Sequence, residues 1–189
     1  MDILSGILSA FGLSASAGLN AYIPLLVIGV TAHYTDLIKL NSPWDTLANP
    51  WILILLGVLV IIEMVADKIP AVNHINDIIQ SVVRPVAGAI VFAASARVVS
   101  DIHPIVAMAC GLLIAGSVHI VKAAAIRPAV TVTTGGTANV PVSIAEDILA
   151  TFTSLLSVLI PILVGVFICI VAAVIIWWFI SRTNKHKLV

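Results

Sequence analysis

The residues with chemistry to offer gather in two stretches. Residues 63–84, EMVADKIPAVNHINDIIQSVVR, hold Glu63, Asp67, Lys68, His74, Asp77 and Arg84, and residues 119–147 hold His119, Lys122, Arg127, Glu146 and Asp147. Glu63 and Asp67 are four residues apart and share one face of a helix. They could hold a cation or share a proton, because two neighbouring carboxylates resist ionising together. Pairing with Lys68, Arg84 or Lys122 is the plainer use of the same charges. His119 beside Lys122 could relay a proton, or simply be a satisfied histidine at a membrane interface.

The run TVTTGGTAN offers Thr131, Thr133, Thr134, Gly135, Gly136, Thr137 and Asn139. Its glycines could turn backbone amides toward an anion as a nest, and with Lys122 and Arg127 alongside it could take a phosphate, a carboxylate or a lipid headgroup. The competing reading is a glycine turn whose threonines bond to their own backbone. There is no GKS or GKT ending for nucleotide binding, no GxSxG, no HExxH and no Cys/His cluster. We therefore expect no enzyme activity, no cofactor and no metal.

These groups sit in a chain made for hydrocarbon. Of its 189 residues 61% are hydrophobic and 10% charged, against about 25% charged in soluble domains. Its mean hydropathy is +1.19. Nine Lys and Arg balance nine Asp and Glu, which leaves no field to recruit nucleic acid. The composition implies an all-α, polytopic membrane helix bundle, a single integral membrane domain over 1–189.

Residues 3–32 carry no charge and would make a helix of roughly 45 Å, longer than the ~30 Å hydrocarbon core. A break is expected in residues 14–24, at Asn20 and Pro24, where proline removes an amide. The small residues there equally suit close helix packing. Residues 51–66 read as a second span. Residues 69–84 read as an interfacial or re-entrant element rather than a span. A third span is expected over 82–100, and a fourth over 105–121 after an N-cap region at Asp101. The last helix is expected to begin around Pro141, Ser143, Glu146 and Asp147, with carboxylates near its positive end, and to run to 180 with an interruption at Pro161. Arg182, Lys185 and Lys187, behind Trp177 and Trp178, favour a cytoplasmic C-terminus, with Arg97 on the same side. About five spans with interrupted helices place both polar stretches on one side of the membrane, as a polar re-entrant or surface lobe forming a shared vestibule.

GLNAYIPLL from Gly18, EMVADKIPAVNHINDIIQSVVRP from Glu63 and KAAAIRPAVTVTTGGTANVPVSIAED from Lys122 together resemble a bacterial and plastid membrane family, domain of unknown function 4126. The resemblance spans nearly the whole chain. It implies a polytopic membrane protein, in keeping with a bacterial inner (plasma) membrane, and brings no catalytic residue with it.

The functional expectation is a small transporter- or channel-like protein handling a small solute, anionic in class, or a lipid headgroup. Its site would comprise Lys122, Arg127 and residues 131–139. Glu63, Asp67, Lys68, Asp77, Arg84, His119, Glu146 and Asp147 would serve as coupling or ion-pairing groups. The alternative is a non-transporting accessory or assembly subunit of a membrane complex. Expected partners are membrane lipid and either a homo-oligomer or a larger membrane complex, with no nucleic acid.

Overall fold

A computed structural model describes residues 3–96, 102–166 and 170. The described chain is all-α. Its helices are α1 (Ile3–Leu19), α2 (Tyr22–Tyr34), α3 (Pro50–Ala66), α4 (Pro70–Ala96), α5 (Pro104–Val121), α6 (Arg127–Thr134) and α7 (Asn139–Leu159). A short 3-10 helix, Trp44–Ala48, precedes α3. Among the described residues three stretches are long and apolar enough to cross a membrane: Ile75–Ala96, Pro104–Thr134 and Asn139–Leu159. α1, α2 and α3 are apolar but shorter.

α1 is the central post, packed against α4, α5 and α7. Its sequence explains that position, since Gly6, Ser9, Ala10, Gly12, Ser14, Ser16, Ala17 and Gly18 are all buried and let neighbouring backbones approach. The serines also bond across the contacts they permit. Ser14 Oγ donates to Gly88 O at 2.9 Å, Ser16 Oγ donates to Ala150 O at 2.7 Å, and the Ser16 and Ser154 hydroxyls meet at 2.7 Å. Helix starts follow local chemistry as well. Asn49 accepts the Trp51 amide ahead of Pro50, and His103 Nδ1 accepts the Ile105 amide ahead of Pro104.

Three expectations are corrected. Residues 69–84 do not form a separate interfacial or re-entrant element, because from Pro70 they are the first half of α4, which continues through Pro85. A proline can sit inside such a helix where packed neighbours take up the disturbance. The fourth helix does not stop before the polar run, since α5 passes through a π-helical turn, Lys122–Ile126, directly into α6. α7 begins at Asn139, so Glu146 and Asp147 lie two turns inside it rather than at its positive end. The interruption expected at Pro161 is present, since Ile160 leaves helical geometry directly before the proline and residues 161–166 are helical again. The expectations for Arg97, Asp101, Trp177, Trp178, Arg182, Lys185 and Lys187 lie outside the described residues.

α4 and α5 meet through glycine. A Cβ added to Gly111 would lie 2.2 Å from Gly88 O, whereas one added to Gly57 meets nothing within 4 Å. Gly111→Val should therefore cost about 1–3 kcal/mol through overpacking, more if the helices must part. Gly57→Ala should be neutral or stabilising by up to about 1 kcal/mol through helix propensity. Thermal unfolding of the two variants in one detergent checks both.

Candidate functional site

The centre of the molecule is the gap between α1 and α2. A helix start leaves its first amides without partners, and in apolar surroundings each must find one. Here every one is accounted for. The Ala21 amide donates to Glu63, 3.1 Å from Oε2, while the Tyr22 and Ile23 amides both donate to Asn20 Oδ1 at 3.2 Å. Pro24 has no amide to satisfy, and its ring is fully buried. On the other side of the gap, Leu19 O at the end of α1 accepts from Lys122 Nζ at 3.0 Å. A carboxylate thus faces the positive end of α2, and an ammonium the negative end of α1.

Those two charges recruit the rest. Arg84, fully buried, donates to Glu63 Oε1 through Nε at 3.2 Å and Nη2 at 3.0 Å. Its Nη2 also lies 3.5 Å from Asp67 Oδ2. Asp67 is the hub, because the same oxygen takes Arg127 at 3.2 Å and Lys122 at 3.5 Å, and its Oδ1 accepts from Asn76 at 2.6 Å. Lys122 and Arg127 both reach Glu146 Oε2 at 2.9 Å. Lys68 bonds Asp147 Oδ2 at 2.8 Å, and Asn20 Nδ2 joins that carboxylate to the gap at 3.1 Å. Four cations thus meet four carboxylates, and seven of the eight charged residues are buried.

A π-helical turn makes this possible. In an α-helix of 3.6 residues per turn, Arg127 would point about 140° away from Lys122 around the axis. Between them the chain widens to bonds spanning five residues, with the Arg127 amide donating to Lys122 O, and both side chains come round to Glu146 and Asp67. His119 completes that face. Arg84 Nη1 donates to its Nδ1 at 3.1 Å, and because a guanidinium only donates, Nδ1 carries no proton. In the turn after α3, burial acts to raise the Asp67 carboxyl, but Lys122, Arg84 and Arg127 outweigh it and hold it below its usual value.

The network brings together Asn20, Glu63, Asp67, Lys68, Arg84, His119, Lys122, Arg127, Glu146 and Asp147. It leaves Asp77 half-buried on α4, with no ion pair to it among the described residues. The wet vestibule expected of these charges is corrected to a closed core.

The threonine run stays apart from it. Thr133 and Thr134 lie in α6 and donate to the carbonyls of Ala129 and Val130, while Thr131 bonds to Arg127 O and to Asn139. Gly135 and Gly136 turn the chain at φ 62° and 86°, and Thr137 bonds back to Thr134 O. The stretch is a helix end and a glycine turn, with its hydroxyls bonded locally. These bonds are those of the competing reading, a glycine turn whose threonines bond to their own backbone. Two polar atoms of residues that the sequence places near the start of the last helix stand out. Ser143 Oγ and Glu146 Oε1 are buried three residues apart on α7 without a hydrogen-bond partner among the described residues.

Truncating Arg84 to Leu leaves Glu63 buried against one amide and should cost about 3–5 kcal/mol. Arg84→Leu combined with Glu63→Leu should cost clearly less than the sum of the two single changes, since the pair is coupled. Denaturation of the three variants in mild detergent reads that difference, and strict additivity would mean the two charges do not depend on one another.

No curated protein and no solved structure matches the chain. One family model does, described as domain of unknown function and covering residues 7–181, so the stretch that holds every residue of the network belongs to the family DUF4126.

Proposed function

We propose that the chain is an integral membrane protein of about five spans, transporter- or channel-like, whose solute works on the charged network at the break between α1 and α2. The observation that carries this reading is the break itself. A helix interrupted at Asn20 turns one positive and one negative helix end into the bundle, and each end holds a titratable side chain, Glu63 and Lys122. Interrupted helices with opposed ends are how many transporters hold ions and solutes at mid-depth. In this reading α1 with α2 forms the first span, and α3, α4, α5 and the helix begun by α7 form the others.

An anionic solute or lipid headgroup would act at Lys122 and Arg127 by competing with Glu146 for both cations. Ser143 Oγ, buried without a partner among the described residues, supplies a hydroxyl donor on the same helix as Glu146. The network's balance of four cations and four carboxylates supports a second reading, an accessory subunit in which the charges only fix the fold.

Purified protein in liposomes should move one member of a panel of small anions. Glu63→Gln and Arg127→Ala should abolish that flux, while Thr133→Ala, on the exposed end of α6, should leave it within about twofold, as surface changes usually shift energies by less than ~0.5 kcal/mol. Variants are compared only where they elute as single species. Flux across the panel no greater than in empty liposomes counts against transport, and stable co-purification with another membrane protein favours the accessory role.

A further inference from the structure

Seven charged side chains of the network are shut in, and one is not. The side chain of Lys68 keeps 27% of its surface exposed, against 0%, 2% and 9% for Arg84, Lys122 and Arg127. Its ammonium has three protons to donate. Two go to Met64 O and Asp147 Oδ2, each at 2.8 Å. Lys68 also lines a groove of about 440 Å³ between α3 and α7, with walls of Met64, Ile148, Phe152 and Leu155. Its polar groups are Lys68, Asp147 and Thr151, whose hydroxyl donates to Asp147 O. From Asp147, with Ile144 one turn before it, the floor runs about 12 Å along α7 to Leu155.

We infer that this groove binds one phospholipid with an anionic headgroup, its phosphate on the free proton of Lys68 and an acyl chain laid along α7 toward Leu155. Three observations on the same groove agree. Its apolar length is close to the depth of one leaflet, about 15 Å of hydrocarbon. Of the two charged groups that line it the more exposed is positive, Lys68 at 27% against 4% for Asp147. A phosphate on the third proton leaves the bond from Lys68 to Asp147 in place, so binding strands no buried carboxylate. The lipid would thereby touch the network through Lys68 without entering it. The inference shares the membrane assignment with the reading above but not its transport step.

The test uses the full chain, delipidated in detergent, with native mass spectrometry as the readout. Phosphatidylglycerol should bind about tenfold more tightly than phosphatidylcholine of the same chains, because both phosphates can accept from Lys68 but choline brings a second cation close to the ammonium. Lys68→Ala should erase that preference and Lys68→Arg should restore it. Leu155→Trp, on the exposed groove wall, should weaken both lipids by filling the far end, and it decides the matter if Lys68→Ala does not fold. Equal binding of the two lipids, or a preference that survives Lys68→Ala, overturns the proposal. So does unchanged binding in Leu155→Trp, or competition by glycerol phosphate as strong as by the intact lipid, which would make this a phosphate site without a tail.

Discussion

A helix that stops and restarts inside apolar surroundings must find partners for the backbone groups it uncovers, and the rest of this molecule follows from that requirement. Water is the usual partner, and here it is replaced by Glu63, Lys122 and the amide of Asn20. An ionised group in such a place costs several kcal/mol unless it is paired, so each charge drawn to the gap draws another. Glu63 needs Arg84, Lys122 needs Glu146 and Asp67, and Arg127 settles between the same two carboxylates. The chain of pairs ends at Lys68 and Asp147, where the network first reaches the surface.

Such a network holds only if its members cannot drift, and packing supplies the rigidity. α1 brings glycine, alanine and serine to its contacts with α4, α5 and α7, so that three helices stand close around the one that breaks. Close backbone approach at Gly88 and Gly111 fixes α4 against α5, and hence Arg84 against His119. Distances near 3 Å among eight charges demand that kind of scaffold, because hydrogen bonds weaken steeply once geometry slips.

Parts of this arrangement were legible in the sequence for physical reasons. An uncharged run too long for one crossing, with asparagine and proline near its middle, points to a break. Glu63 and Asp67 at four-residue spacing point to one helix face. What was not legible depends on long-range contacts. Pro85 and the polar residues before it imitate a boundary, and only the neighbours packed around α4 let the helix run on. The threonine-rich run has weak helix propensity, yet residues 127–134 are helical because they continue an established helix, which requires no new nucleus. No local pattern announces the π turn. Lys122 and Arg127, five apart, look like residues on different faces until the extra residue brings them together.

The attachment of α3 shows where the network does mechanical duty. Of its seventeen residues only Leu56 and Glu63 are buried, while Trp51, Ile54, Ile61 and Val65 face outward. Apolar contact alone would hold such a helix loosely. What fastens its end to the bundle is charge: Glu63 to α2 and α4, Asp67 to α4, the π-helical turn and α6, and Lys68 to α7. Directional bonds of this kind are either made or broken, unlike a greasy surface that can slide. A group that altered one of them, whether a proton on a carboxylate or an anion on a cation, would therefore act on the position of the whole of α3. That makes the same eight side chains the lock of the fold and the place where a bound species has mechanical leverage.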